Sequence, residues 1–225
     1  MEGFAIIPAR MNSTRFVGKP LAMIDGLPMV QHVYQQCAKA LRHVYVATDD
    51  DLIAATVAKF GGKVLRTTGN HESGTSRCAE AAATTKHRGI ILNVQCDEPY
   101  IQPAQLLQLL AAFDDPAVSV ATLIYKTFDP FELADTNTVK VVTNNVGDAM
   151  YFSRGTIPWG ARVAYKHIGV YAYRRQALAH IATLPPNLLE HDEGLEQLRW
   201  MAAGLPVRTV VTDIDTVAIN TPDQL

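Results

Sequence analysis

Gly89-Ile90-Ile91-Leu92-Asn93-Val94 is a nearly all-apolar run of strand length, and it follows an alanine-rich stretch, residues 75–86, that reads as a helix. A strand without polar alternation has both faces covered, which is how a central parallel strand reads. The same alternation fills the first half of the chain. Residues 4–8 read as a strand, and from Pro28 the residues Met29, Val33, Cys37 and Leu41 recur on a four-residue stride that lines one helix face. Residues 43–48 form a second strand, Asp49 and Asp50 cap a helix over residues 52–60, Gly61-Gly62 stop it, and residues 63–66 give a third short strand. Pro103 opens a helix through Phe113, and residues 118–125 return as a strand. Such alternation predicts right-handed crossovers and an open α/β sheet.

After Pro130 the pattern changes. Residues 139–143, the turn Asn144-Asn145-Val146-Gly147 and residues 149–153 read as a hairpin. Residues 167–173 then read as a strand, 188–203 as a helix and 207–212 as a last strand. This half has the character of an inserted or appended lobe. No repeat, low-complexity tract or Gly/Ser-rich linker separates it, so the two halves are expected to share a core.

Composition narrows the class. Hydrophobic residues at 48% and charged residues at 19% of 225 describe an ordinary globular chain, large enough to fold without a disulfide or structural metal. Cys37, Cys78 and Cys96 are an odd count with no C-x-x-C pair, which argues against a disulfide framework or thiolate zinc site and for a reducing cytoplasm. The absence of a membrane-length apolar run and of a basic, then hydrophobic, opening predicts neither export nor membrane insertion. A formal net charge of -2 gives no overall attraction to nucleic acid.

Two loops carry the chemistry. Ala9-Arg10-Met11-Asn12-Ser13-Thr14-Arg15-Phe16-Val17-Gly18-Lys19-Pro20 follows the first strand, where an open α/β sheet binds its ligands. Its three cations, hydroxyls and glycine suit a polyphosphate, although it has neither P-loop nor Rossmann glycine spacing; a solvated basic loop is the equal alternative. Asn93-Val94-Gln95-Cys96-Asp97-Glu98-Pro99 ends the apolar strand, opposite that loop. Asp97 there is placed to hold Mg²⁺ together with substrate phosphates, the alternative being an exposed acidic turn. His71-Glu72 lacks the second histidine of a zinc helix, and Glu190-His191-Asp192-Glu193 spreads its ligands around a helix and reads as a polar face. Nothing near Cys96 forms a Cys/His dyad.

Six segments in a consistent order resemble one family. Pro8-Ala9-Arg10, Ser13-Thr14-Arg15 and Gly18-Lys19-Pro20-Leu21 are joined by Val46-Ala47-Thr48-Asp49, by Ser73-Gly74-Thr75 with Arg77, and by Asn93-Val94-Gln95 with Asp97-Glu98-Pro99. Tyr151-Phe152-Ser153-Arg154 with Ile157-Pro158-Trp159, and Leu195-Glu196-Gln197-Leu198-Arg199, complete the set. Together they resemble the 3-deoxy-manno-octulosonate (Kdo) cytidylyltransferases, the CMP-Kdo synthetases. Sialic-acid cytidylyltransferases share the fold but carry a more glycine- and lysine-rich first loop, so the Ser-Thr-Arg form favours Kdo or a close analogue.

The resemblance implies a Rossmann-like nucleotidyltransferase sheet over about residues 1–128 and 205–225, with a smaller mixed α/β sugar-binding and dimerisation lobe over about 129–204. It implies transfer of CMP from CTP to the anomeric hydroxyl of a sugar acid with release of pyrophosphate, Mg²⁺ as cofactor, a homodimer in the cytoplasm, and a place in lipopolysaccharide-type glycan synthesis. Carried onto this chain, the catalytic residues are Arg10, Lys19 and Asp97. Arg10 and Lys19 hold the triphosphate, with Ser13 and Arg15 supporting the loop. Ser73, Gly74, Thr75 and Arg77 line the cytosine and ribose side, and Gln95 contacts nucleotide or sugar. Arg154 and Arg162 are the guanidinium forks for the sugar carboxylate, and His167, Tyr171, Glu196 and Gln197 meet its hydroxyls. The residues alone also allow a satisfied strand histidine at 167, a core tyrosine at 171 and an Arg199 that pairs with Glu196.

The family pattern is broken at two chemical positions. Cys96 stands where the family has glycine, which matters if that backbone needs φ > 0 or a close approach. Asn220 stands where the family places a metal-binding aspartate, and an amide oxygen brings no charge to Mg²⁺. The segment between Trp159 and His167 is also short for the family. The sequence is thus read as an active Mg²⁺-dependent cytidylyltransferase, with a catalytically weakened homologue that still binds nucleotide or sugar acid as the alternative.

Overall fold

β1 (Gly3–Pro8) is buried along its whole length because it runs through the middle of a sheet covered on both faces. In the computed structural model, which describes residues 2–12, 16–69 and 71–225, the chain continues through a small hairpin, β2 (Met23–Ile24) and β3 (Leu27–Pro28). It then forms α1 (Met29–Ala40), β4 (Val44–Thr48), α2 (Asp51–Lys59), β5 (Val64–Arg66), α3 (Gly74–Thr84), β6 (Ile90–Val94), α4 (Pro103–Ala111) and β7 (Val120–Thr127). Met29, Val33 and Cys37 are the buried face of α1, as their stride predicts. Asp50 caps α2 by accepting from Leu52 N at 2.8 Å and Ile53 N at 3.0 Å. Ser73 and Ser76 start α3 with a reciprocal capping box.

The second half comprises α5 (Pro130–Ala134), β8 (Lys140–Thr143), β9 (Ala149–Ser153), β10 (Ala164–Tyr173), α6 (Arg175–Ile181), α7 (Leu188–Glu193), α8 (Gln197–Ala202) and β11 (Arg208–Thr212). The sheet order is β11-β7-β10-β6-β1-β4-β5, with the β8–β9 hairpin joined to β10 through β8. Neighbours on the main path are parallel except at β10, which is antiparallel to both β6 and β7. The expected α/β class with a mainly parallel sheet is therefore observed. Val33 of α1, Ile53 of α2 and Leu106 of α4 pack on one face of the sheet; Cys78 of α3, Leu178 of α6 and Trp200 of α8 pack on the other.

Two segments differ from the sequence reading. The strand expected at 167–173 begins at Ala164, and the helix expected over 188–203 is two short helices. Gly194 separates them with φ 61°, a left-handed C-cap that ends α7 after two turns. Among the described residues no helix is long and apolar enough to cross a membrane.

The topology fixes where a ligand can sit. β4 and β5 lie on one side of β1 and β6 lies on the other. The loops leaving the carboxyl ends of β1 and β6 therefore part at the point where strand order reverses, which opens a crevice between them.

Candidate active site

The loop after β1 returns to the crevice through a 3-10 turn, Lys19–Leu21, in which Lys19 is buried. Its ammonium donates to Asp97 Oδ2 at 2.9 Å, joining the end of β1 to the end of β6. Arg10, Lys19, Ser73, Gly74, Gln95 and Asp97 line a cavity of about 190 Å³ there. Arg10 Nη1 donates to His71 O at 3.4 Å and stays exposed. Gly74 is required by a close approach: a Cβ there would lie 2.8 Å from Gln95 Oε1 and 2.9 Å from its Nε2. Ser13 and Arg15, also assigned to this loop, fall outside the described residues.

Arg77 lines the same cavity but is buried and strongly tethered. It pairs with Asp49 Oδ1 at 2.6 Å and donates to Thr67 Oγ1 at 2.6 Å, so it also ties α3 to the ends of β4 and β5. Thr75 is buried behind the cavity, and its hydroxyl donates to Glu196 Oε1.

A second cavity of about 360 Å³ adjoins the first, and Gln95 and Asp97 line both. Its wall includes Arg154, Lys166, His167 and Asn220. The backbone N–H of Ile219 donates to Asp97 O at 2.9 Å, which places Asn220 beside the end of β6. Asp215, a nearby acid, is engaged elsewhere: Lys166 Nζ lies 2.5 Å from both Asp215 Oδ1 and Glu132 Oε1.

The residues assigned to the sugar acid separate by depth. Arg154 faces the second cavity, held by bonds from its Nε to Glu193 O at 2.8 Å and from its Nη1 to Thr136 O at 2.9 Å. Glu193 steadies it further by accepting from Arg154 N at 2.8 Å and Ser153 Oγ at 2.7 Å. The His167 ring shares a hydrogen bond with Thr122 Oγ1 at 2.8 Å, and burial pushes its pKa down to about 3, so the imidazole is neutral at ordinary pH. Tyr171 and Gln197 are buried and line neither cavity. The Tyr171 ring meets Trp200 edge-on with centroids 5.0 Å apart, and its hydroxyl has no hydrogen-bond partner among the described residues. Burial raises the Glu196 carboxyl above its ordinary pKa, opposed by hydrogen bonds from Thr75 and Ser73. Arg162 is exposed in the loop before β10 and lines neither cavity. Arg199 pairs with Glu190, at 2.5 Å, rather than with Glu196.

Cys96, which lines the first cavity, meets the conformational half of the concern its side chain raises. Among the described residues other than glycine only Asp25 has a positive φ, 47°, so Cys96 takes no conformation reserved for glycine. Its side chain joins the core, and burial pushes its thiol pKa up, away from nucleophilic chemistry.

Sequence reading missed three residues. Glu98 is buried, accepts from Gly169 N at 2.8 Å, and has its carboxyl pushed up to about 8, first by burial and then by Asp97. Lys140 is fully buried and donates to the carbonyls of Asp135, Thr138 and Arg154 at 2.8, 2.6 and 2.5 Å, gathering the rim around Arg154. Lys166 bridges two carboxylates. A charge inside the strand-like run 139–143 is the signal Lys140 offers, whereas Glu98 lies in the acidic turn after β6 and Lys166 just ahead of the strand read at 167–173.

The fit of Mg²⁺ is set by Asp97. This ion takes one or two carboxylates together with phosphate oxygens and keeps several waters. Among the described residues no cluster of three or more His, Cys, Asp or Glu could hold a metal alone. The Asp97 side chain is 27% exposed and opens to both cavities, a donor suited to an ion that arrives with a triphosphate.

Comparison with known proteins gives the family. The cytidylyltransferase family model matches residues 4–210. A 3-deoxy-manno-octulosonate cytidylyltransferase of Bacteroides thetaiotaomicron is 45% identical, covering 100% of this chain and 96% of its own, and one of Cytophaga hutchinsonii is 50% identical, covering 98% and 94%. The solved structure of CMP:2-keto-3-deoxy-manno-octonic acid synthetase complexed with CTP superposes with a TM-score of 0.92 at 42% identity, over 100% of this chain and 95% of that one. The chain belongs to the cytidylyltransferase family and, within it, to the 3-deoxy-manno-octulosonate cytidylyltransferases.

Proposed function

We propose that this protein transfers CMP from CTP to the anomeric hydroxyl of Kdo and releases pyrophosphate. The observation that carries this reading is the meeting of two cavities at Gln95 and Asp97, one walled by Arg10 and Lys19, the other by Arg154, His167 and Asn220. The sugar oxygen attacks the α-phosphorus and loses its proton, while the bond from that phosphorus to the β-phosphate oxygen breaks and pyrophosphate leaves with the electron pair. Such chemistry needs alignment and charge neutralisation rather than a covalent nucleophile.

Arg10 and Lys19 hold the triphosphate, and Lys19 keeps its ammonium in place through Asp97. Arg154 receives the sugar carboxylate, with its guanidinium fixed by the backbone of residues 193 and 136. Neutral His167 offers its ring to a sugar hydroxyl without repelling Arg154. When bound, Mg²⁺ held by Asp97 and the Asn220 amide oxygen supplies charge neutralisation on the triphosphate. Tyr171 and Gln197 support the cavity wall from behind, and Arg162 serves as a carboxylate fork only if its loop folds inward.

The smaller lobe supports a homodimer. Trp159 is 98% exposed, and Val141, Pro158, Val163 and Ala164 line an apolar groove near it. A cytoplasmic enzyme of lipopolysaccharide-type glycan synthesis fits three unpaired cysteines and this substrate pair. The test is to incubate the protein with Kdo, Mg²⁺ and each of CTP, UTP and ATP, and to weigh the products. A CMP-linked Kdo formed with CTP supports the reading. Tight CTP binding by calorimetry without product identifies the weakened homologue instead.

A further inference from the structure

Asn93 is a fully buried polar side chain at the end of β6, the most apolar strand of the sheet. A buried amide must satisfy both its donor and its acceptor. On a strand, side chains two apart share a face, so Asn93 and Gln95 meet: Gln95 Nε2 donates to Asn93 Oδ1 at 3.2 Å. On its other side Asn93 Nδ2 donates to Thr75 Oγ1 at 3.3 Å, and Thr75 donates in turn to Glu196 Oε1. Four side chains from the end of β6, α3 and the start of α8 thus form one relay that reaches the crevice at Gln95.

The relay has a direction. The single hydroxyl proton of Thr75 points to Glu196 Oε1, so a lone pair of the same oxygen faces Asn93. Asn93 must then present its NH₂ to Thr75 and its carbonyl to Gln95, and Gln95 must present its NH₂ to Asn93. The remaining Gln95 amide oxygen is left as an acceptor at the junction of the two cavities. Phosphate oxygens have no proton to give it, whereas a sugar hydroxyl does.

We infer that Asn93 is a positioning residue: it fixes the rotational state of the Gln95 amide by linking it through Thr75 to Glu196, so that the amide oxygen meets a hydroxyl of the sugar acid. This rests on the proposed cytidylyl transfer to a sugar acid. Gly74 reinforces it by leaving the space beside the amide empty.

The test compares Asn93→Leu, Thr75→Val, Thr75→Ser and the double variant Asn93→Leu/Thr75→Val. Either of the first two should raise KM for the sugar acid about 10-fold, the worth of one misplaced hydrogen bond, and Asn93→Leu should leave Kd for CTP within about twofold. Thr75→Ser keeps the hydroxyl and should restore wild-type KM, and the double variant should be no worse than the worse single variant, because the relay fails as a unit. Wild-type KM in Asn93→Leu, equal damage from Thr75→Ser and Thr75→Val, or losses that multiply in the double variant would overturn the assignment. If Asn93→Leu does not fold, the Thr75 pair decides. If the wild-type protein forms no product, the functional reading fails separately, and the relay is read by NMR. The Gln95 side-chain amide resonances of the free protein should then shift in Thr75→Val but not in Thr75→Ser, and resonances unmoved in both would overturn it.

Discussion

Lys19 Nζ sits 2.9 Å from Asp97 Oδ2, a contact between residues 78 positions apart that closes the crevice between the first and fourth parallel-sheet connections. The lysine is buried and the carboxylate is partly open, so the pair holds a cation against the smaller cavity while leaving Asp97 an oxygen for other partners.

Removing either member should be costly. Lys19→Ala and Asp97→Asn are each expected to lower kcat/KM about 10²–10³-fold, the usual cost of deleting a group aimed at transition-state charge. Lys59→Ala, exposed at the end of α2, should leave turnover unchanged. Steady-state pyrophosphate release measures all three, and equal activity would remove Lys19 and Asp97 from the site.

Gly169 should resist substitution. A Cβ there would lie 2.7 Å from Glu98 Oε1, which accepts the Gly169 N–H at 2.8 Å. Because Glu98 is buried and bonded to the Gly169 N–H, Gly169→Ala is expected to cost about 1–3 kcal/mol of stability. Urea unfolding would show the loss as a lower midpoint at unchanged slope; an unshifted midpoint would mean that the Glu98 carboxyl moves aside freely.

Stability should fall in acid partly through His167. Its folded pKa is depressed to about 3 from an ordinary value near 6.5. The unfolded chain therefore binds the extra proton first. The contribution is fully present above pH 6.5 and is lost as pH falls toward 3, at a slope of up to about 1.4 kcal/mol per pH unit. His167→Gln, which retains a partner for Thr122, should flatten the profile in that window. Parallel profiles for the two proteins in urea unfolding from pH 7 to 4 would contradict the assignment.

The sequence made the crevice legible because the features that define it are local. An apolar run marks β6, a basic loop follows β1, and Asp97 directly follows the strand, so Lys19 and Asp97 emerge together once the strands are ordered. Direction is not local: residues 167–173 read as a strand, yet nothing in their pattern states that β10 runs antiparallel between β6 and β7. Gly194 did carry a signal, since glycine in a predicted helix is a ready C-cap, and overlooking it merged α7 with α8. The Lys166 bridge to Glu132 and Asp215, and the Asn93 relay, join residues up to 49 and 121 positions apart, and only the folded sheet brings such partners together.

The most direct measurement is pyrophosphate release from CTP, Kdo and titrated Mg²⁺ by this protein beside its Asn220→Asp variant. The account predicts release by both, abolished by EDTA, with the variant reaching half-maximal rate at lower Mg²⁺ because a carboxylate replaces a neutral amide beside Asp97. No release by the unaltered protein at any Mg²⁺ concentration would contradict it, and release restored only by Asn220→Asp would identify a binding scaffold with a damaged metal site.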